Sequence, residues 1–494
     1  MSGPGPDRAG GAARPARPAR VVVVGGGVSG LTAAHHLLTR AGRPLEVVVC
    51  EASGRVGGVL QRAEVGGVVL DLGAESLLAR RPEAVDLVRE AGLGDDLVHP
   101  ATASASLRLE DGLHPLPAGT VMGVPASAEQ LRALLAPADV ERAAQDEQRP
   151  AAPLEHDVSV GAHVADRVGR AVVDRLVEPL LGGVYAGHAD RLSLRATVPA
   201  LWRRAAAGGP LMAGVREAAA ARPAGAGPVF AGVAGGVARL PEALAAAVSA
   251  RGGEVRTSTP VTGLERDGRD GTGGWRVRTS AGTLAADAVV VALPAPAAAR
   301  LLRGPVPAAA AELAAVETAS VVIGALAVPA GQLAGLTGSG VLVPPAVGAA
   351  AGLRVKALTL SASKWAWVAA QRADVAVLRV SLGRAGEDEV LRWDDERVLA
   401  TAVADAGALL GRELRPVDAA VARWTDGLPQ YAVGHLDRVG RLRAAVAGAG
   451  RLALAGSVLD GVGVPACAAA ARAAADAVLT ELAEPTGPVG PARA

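Results

Sequence analysis

Aromatic side chains are nearly missing from this 494-residue sequence. Six Trp, two Tyr and one Phe make up 2% of it, although 50% of the residues are apolar. Alanine and valine carry the apolar count, which excludes a core built around large rings and requires one closed by small side chains. Cysteine is equally scarce. Cys50 and Cys467 lie far apart, which excludes a disulfide framework and a cysteine-based metal site. No metal is expected, and a cytoplasmic, reducing location is implied. Lysine is confined to Lys356 and Lys364 among 50 basic residues, an arginine bias of the kind a GC-rich genome imposes. The net charge of +1 argues against nucleic acid as a partner and against a strongly basic membrane-binding face. No run of about 18 uncharged apolar residues marks a transmembrane helix. Stretches such as Ala243–Ala250 read as buried helices, and peripheral membrane contact is not indicated. No internal repeat is visible. Residues 1–19, rich in Pro, Gly, Ala and Arg, lack the apolar centre of a signal peptide and read as a disordered arm; residues 484–494 read as a flexible tail.

What is present is a succession of strands and glycine turns. The chain is too long for one ordinary core, so two or three interleaved domains are expected. Val21–Val24 reads as a strand, Val28–Arg40 as a helix and Glu46–Cys50 as a second strand, together one βαβ unit. Residues 77–165 read as helical, and Val164–Glu178 as an amphipathic helix stopped at Pro179. Gly235–Arg251 reads as a turn and helix, followed by a strand–turn–strand pattern. Trp275–Val291 adds a hairpin-like pair and a buried strand, and residues 318–382 alternate as a second sheet does. Leu452–Leu482 closes the chain with strand, turn and helix. Strand signals in the first, middle and last parts imply one nucleotide domain assembled from separated segments.

Gly25, Gly27 and Gly30, in "VVVVGGGVSGL", make G-x-G-x-x-G after a strand and opening a helix. The first glycine permits the tight turn, the second lets backbone approach a pyrophosphate, and the third lets helix and strand pack closely. The helix N-terminus supplies free N–H groups for the phosphates. Glu51, ending the second strand, can accept ribose hydroxyls, and an acid there disfavours the 2′-phosphate of NADP. No second strand–GxGxxG–helix unit exists for a nicotinamide: "FAGVAGGVARLPEAL", Phe230–Leu244, has no strand long enough before its glycines. Electrons entering such a site therefore leave to oxygen or another acceptor, which favours an oxidase.

"EASGRVGG" after the second strand places Arg55, Gly57 and Gly58 in a spacing that resembles the second nucleotide signature of the FAD-dependent amine oxidase superfamily. "DLGAES", Asp71–Ser76, resembles the segment that runs beside the flavin ring in that superfamily. The resemblance implies an α/β fold, with a Rossmann-type FAD-binding domain, an inserted α+β substrate domain and a helical domain. It implies non-covalent FAD, with Val28, Ser29, Ala52, Gly73, Ala74, Val261, Gly456 and Val464 added to the glycines, Glu51 and Arg55 as contacts. It also gives "LALAGSVLDGVGVPACAAA", Leu452–Ala470, a role: a second helix N-terminus, with Gly461, Val462 and Gly463, brought to the flavin's pyrimidine edge to stabilise charge on the reduced ring. The expected division is 20–76, 229–300 and 425–483 for FAD, 77–228 mostly helical, and 301–424 for substrate.

Four further stretches narrow the resemblance. "VVDRLVEPLLGGVYAGHADRLSLRATVPAL", "LPQYAVGHLDRV", "AGSVLDGVGVPACAAAARAAADAV" and "SASKWAW" are similar to the bacterial protoporphyrinogen/coproporphyrinogen oxidase family, most closely its coproporphyrinogen III oxidases of Gram-positive bacteria and actinobacteria. Ala466 departs from that pattern, standing where the family often has Asp. The resemblance implies oxidation of coproporphyrinogen III to coproporphyrin III in haem biosynthesis, six electrons passing through FAD to oxygen with peroxide formed, and a handoff to a coproporphyrin ferrochelatase. Protoporphyrinogen IX oxidation, another flavin amine oxidase or desaturase of the superfamily, and a flavin-binding module without turnover are the alternatives. His435 is the best titratable candidate for catalysis, though a structural histidine capping a loop reads better. A polycarboxylated macrocycle calls for cationic groups, and Arg80, Arg81, Arg191, Arg195 and Lys364 are the candidates. Tyr185, Trp365 and Tyr431 are candidate apolar walls.

Overall fold

A computed structural model describes residues 17–221, 227–267 and 273–483. Most of the expected N-terminal arm and the C-terminal tail lie outside the described residues; Ala19, counted with the arm, opens the first strand.

Five parallel strands form the central sheet, in the order Glu254–Arg256, Leu45–Cys50, Ala19–Val24, Ala288–Val291, Leu452–Leu454. Their β-branched runs are buried on both faces, as a parallel sheet covered by helices requires. Alternation sorts them. Val21, Val23, Val47 and Val49 face the helices Val28–Arg40, Arg239–Ala250 and Val464–Ala483. Val22, Val24, Val48 and Cys50 face Ala295–Leu302, Pro307–Ala314 and His435–Ala447. From the middle strand Ala19–Val24 the chain first moves outward to Leu45–Cys50 and later returns to the opposite neighbour, Ala288–Val291. The crevice beyond the carboxyl end of Ala19–Val24 is thus the switch point where ligands bind in open α/β sheets. Val261–Arg266 and Glu254–Arg256, expected as one strand–turn–strand pattern, belong to different sheets.

A second sheet has seven strands, in the order Asp418–Pro429, Thr318–Pro329, Val375–Leu382, Val355–Thr359, Gly340–Leu342, Ala105–Leu109, Gly112–Pro115. The helix Asp395–Leu410 packs on it through Val398, Ala402, Ala406 and Leu409. The hairpin Ala105–Pro115 corrects the helical reading of 77–165: a short alternating run on either side of Glu110–Asp111 forms strands because Gly340–Leu342 pairs with it. Leu77–Leu78 and Leu97–Val98 likewise pair with Phe230–Val233. Asp418–Pro429 runs unbroken through the expected boundary at 424/425.

The expected helix Val164–Glu178 is also different. It breaks at Gly169, whose φ of 100° no helix accommodates, then resumes through a π-helical turn at Val173–Val177 into Glu178–Tyr185. Pro179 does not stop it: the helix enters Pro179 from the π-helical turn, in which Glu178 N donates to Val173 O five residues back. Beneath these helices lies a buried ion pair. Asp146 is fully buried and accepts from Arg167 Nε at 2.7 Å and from the backbone N–H groups of Leu211 and Met212 at 3.1 and 2.8 Å. Asp146→Ala leaves the Arg167 guanidinium buried without its counter-charge and is expected to destabilise the protein by about 3–5 kcal/mol, read from denaturant unfolding.

Candidate functional site

The glycine turn sits at the switch point. Gly25 has φ of 108° and donates to Cys50 O at 2.8 Å, and a Cβ there would lie 2.4 Å from Ala292 O. A Cβ on Gly30 would lie 1.9 Å from Gly25 O, so turn and helix touch backbone to backbone. Gly27 is the opposite case: a Cβ there would meet nothing within 4 Å, and no side chain caps the helix it begins. The N–H groups of that first turn face open space, the condition an anionic dinucleotide requires. The residues present therefore fit a pyrophosphate.

Glu51 stands beside this turn. Its carboxylate accepts from Gly26 N at 2.7 Å and from Ser53 N and Oγ at 2.8 Å. Thr259 N donates to Glu51 O, and two residues on Val261 begins an antiparallel strand, so Val261 lies near this loop; Ala52 is exposed upon it. Arg55 turns inward on its own loop, donating to Gly58 O at 2.8 Å and Gln61 Oε1 at 3.0 Å. Gly57 N donates to Gly26 O, which fastens this loop to the first glycine turn. Arg55 thus shapes the Gly57–Gly58 backbone.

The closing strand–turn–helix reaches the same edge. Gly456 and Gly461 have φ of 130° and 147°, and a Cβ on Gly461 would press to 2.8 Å on Ala466. Tyr431 Oη donates to Ser457 O, and His435 Nε2 donates to Val458 O at 3.0 Å. The two rings stack 3.9 Å apart, and Tyr185 leans on Tyr431 at 5.9 Å. Tyr185 and Tyr431 are therefore packed under the loop that carries Gly461–Gly463. Burial pushes the His435 imidazole down to about 4, so it is neutral and holds a carbonyl. Burial likewise raises the Cys467 thiol to about 11, which leaves no thiolate.

Asp71–Ser76 is pinned by charge. Asp71 accepts from Val237 N at 2.8 Å and Ala238 N at 3.0 Å, and burial raises its carboxyl to about 6. The glycine turn at Gly235–Gly236 therefore receives a carboxylate of the chain itself, through the short antiparallel strand Phe230–Val233. Glu75 pairs with Lys364 Nζ at 2.6 Å and Arg379 at 2.9 Å. Burial alone would raise the Glu75 carboxyl, but Arg379 and Lys364 outweigh it and hold it below the ordinary range. Arg379 also donates to Gly73 O at 2.9 Å, and a Cβ on Gly73 would strike Val59 O at 2.0 Å; Ala74 next to it is exposed. Lys364 is thus committed to Glu75, and Trp365, fully buried, packs under Gly232. Sequence reasoning missed Arg379 and Glu75; the signal was the rarity of lysine, since Lys364 stands opposite a carboxylate.

The arginine candidates separate. Arg81 pairs with Glu83, Arg191 with Glu317 and Arg195 with Asp437, each at the surface. Arg80 is exposed and makes no ion pair among the described residues. No group of three His, Cys, Asp or Glu side chains among the described residues could hold a metal, and no described helix is long and apolar enough to cross a membrane.

The sequence model of the flavin-containing amine oxidoreductases matches residues 28–479. This chain belongs to that family. Its relatives include the coproporphyrinogen III oxidase of Mycobacterium tuberculosis, 40% identical over 94% of this chain and 98% of that protein. The coproporphyrinogen III oxidase of Bacillus subtilis is 32% identical over 94% and 98%. A crystal structure from Exiguobacterium sp. 255-15 superposes with a TM-score of 0.82, 33% identity, and coverage of 94% of this chain and 99% of that one. Membership in the amine oxidoreductase family makes flavin the cofactor, and both helix N-termini described above belong to the family's matched span.

Two predictions follow from this geometry. Gly30→Ala, by forcing turn and helix apart, and Arg55→Ala, by releasing the Gly57–Gly58 loop, should each purify with most of the flavin lost, as read from visible absorbance; Gly30→Ala should also cost roughly 1–3 kcal/mol of stability. His435 has a folded pKa near 4, depressed from its ordinary 6.5. Its contribution to stability is therefore present above pH 6.5 and lost as pH falls toward 4. The wild-type melting temperature should fall across that window more steeply than that of His435→Gln.

Proposed function

We propose that this chain oxidises coproporphyrinogen III to coproporphyrin III, removing six electrons through non-covalently bound FAD with oxygen as acceptor and peroxide as by-product. The observation that supports it most is the pairing of two glycine-turn helix N-termini at the carboxyl end of one parallel sheet in a chain 40% identical to a coproporphyrinogen III oxidase. We assign the pyrophosphate to Gly25–Gly30, the adenosine ribose to Glu51, and the ring's pyrimidine edge to Gly461–Val464. When bound, the flavin supplies a two-electron acceptor that oxygen regenerates. The chain's residues bind, orient and exclude water. His435, neutral and bonded to Val458 O, holds the closing loop and takes no proton. Aromatisation of the product supplies the driving force, so the site requires no strong base. The segments 20–76, 229–300 and 425–483 form the flavin domain in this reading, with 301–424 facing substrate and 77–228 closing the other side. A cytoplasmic location and transfer of product to a ferrochelatase complete the reading.

Porphyrin fluorescence in air tests it. Purified protein should convert coproporphyrinogen III faster than protoporphyrinogen IX. Faster turnover of the second would move the substrate assignment, and turnover of neither would overturn it. Arg80→Glu, at the unpaired arginine, should raise KM for coproporphyrinogen roughly fivefold; an unchanged KM removes Arg80 from the substrate contacts.

A further inference from the structure

The remaining lysine, Lys356, is the more unusual of the two. It lies on Val355–Thr359 within the seven-stranded sheet and is 5% exposed. Its Nζ donates to Gly383 O at 2.7 Å, and no carboxylate pairs with it among the described residues. The next residue, Arg384, is 6% exposed. Its guanidinium donates to Val343 O at 3.2 Å, and its one ion-pair partner among the described residues is Glu387 at 3.9 Å, a half-exposed side chain. Burial, with a smaller contribution from the Arg384 charge, lowers the Lys356 ammonium to about 7. The other carboxylate nearby is already taken. Glu178 accepts from His188 Nδ1 at 2.9 Å and from Ala189 N at 2.6 Å, and His188 Nε2 donates to Ala385 O. Two cations thus share a low-dielectric seam with carbonyl partners and one distant acid. A fold that needed only packing here would be more stable with apolar side chains of the same volume.

The helix that crosses this seam puts no side chain over the buried cations. The seam lies where the helix Glu178–Tyr185 crosses the strands Gly340–Leu342 and Val355–Thr359. That helix has glycine at both crossing positions. A Cβ on Gly182 would lie 3.7 Å from Arg384 Nε, and one on Gly183 3.7 Å from Leu342. The neighbouring Val184 is 44% exposed, an apolar side chain left open beside a buried charge. An anion with an apolar body satisfies both.

We propose that Lys356 and Arg384 form a carboxylate-binding subsite, which takes one acidic side arm of a polycarboxylated macrocycle whose body lies against Val184. The inference rests on the porphyrinogen reading given above and deepens it. A carboxylate accepts from the ammonium and the guanidinium together, and neutralises the pair on binding. The chain keeps an unfavourable buried charge in the free enzyme and recovers it in the complex, the usual opposition of stability and function.

Lys356→Met and Arg384→Gln test this in the flavin-loaded enzyme, with KM, kcat and melting temperature as readouts. Each substitution should raise KM for coproporphyrinogen III at least fivefold, with a smaller change in kcat, and Lys356→Met should melt at or above the wild-type temperature. An unchanged KM in either folded variant overturns the subsite. Loss of folding in both assigns the pair a structural role and also overturns it. Wild-type protein run alongside separates the two readings. If it oxidises porphyrinogens while the variants keep its KM, the subsite alone fails; if it oxidises none, the functional reading fails and takes the subsite with it.

Discussion

The flavin edge of this molecule depends on how closely two helices lie side by side. Val28–Arg40 and Val464–Ala483 pack against each other in one core cluster that holds Ala33 and Ala34 of the first and Ala468, Ala471 and Ala475 of the second. His36 adds a bond to Asp476 at 2.7 Å. Small side chains let the axes approach, and approach brings both N-termini to the same end of the sheet. The near absence of aromatic residues is therefore matched by a core in which alanine and valine set the spacing. Bulk at these positions would separate the two helix ends that one dinucleotide is assigned to bridge.

Around that edge, loops are held by side chains that bond to backbone. Asp71 fills the turn before Arg239–Ala250, Tyr431 and His435 hold the carbonyls of Ser457 and Val458, and Arg55 folds its own loop. These devices act on backbone atoms. They position N–H groups without placing a side chain where the cofactor lies, which is what a helix-end anion site needs. Burial holds His435, and Cys467 in the helix Val464–Ala483, in their uncharged forms at neutral pH.

The two buried cationic clusters behave differently. Glu75, Lys364 and Arg379 nearly balance, and they tie the Asp71–Ser76 segment to the seven-stranded sheet. Lys356 and Arg384 do not balance. A satisfied network stabilises a joint, whereas an unsatisfied one stores free energy that a ligand of opposite charge can release.

Reading the sequence alone located the strand–turn–helix units at both ends of the chain, because a glycine requirement is local: Gly25 and Gly461 adopt backbone angles that only their own residue type tolerates easily. The same locality made Val21–Val24 and Glu46–Cys50 legible as the two strands of a βαβ unit. The interruption at Gly169, the passage of a helix through Pro179 and the hairpin Ala105–Pro115 were not legible, since each is decided by what packs or pairs against it. Side-chain partners were beyond reach for the same reason. Arg191 and Arg195 looked free in sequence and are paired with Glu317 and Asp437 from distant segments, while Lys356, given no role there, is buried without an ion-pair partner among the described residues. Sequence by itself determined where backbone could turn and which residues were apolar, because those are properties of single residues and short periods. Only the tertiary structure decided which charges meet, because that depends on segments brought together from distant parts of the chain.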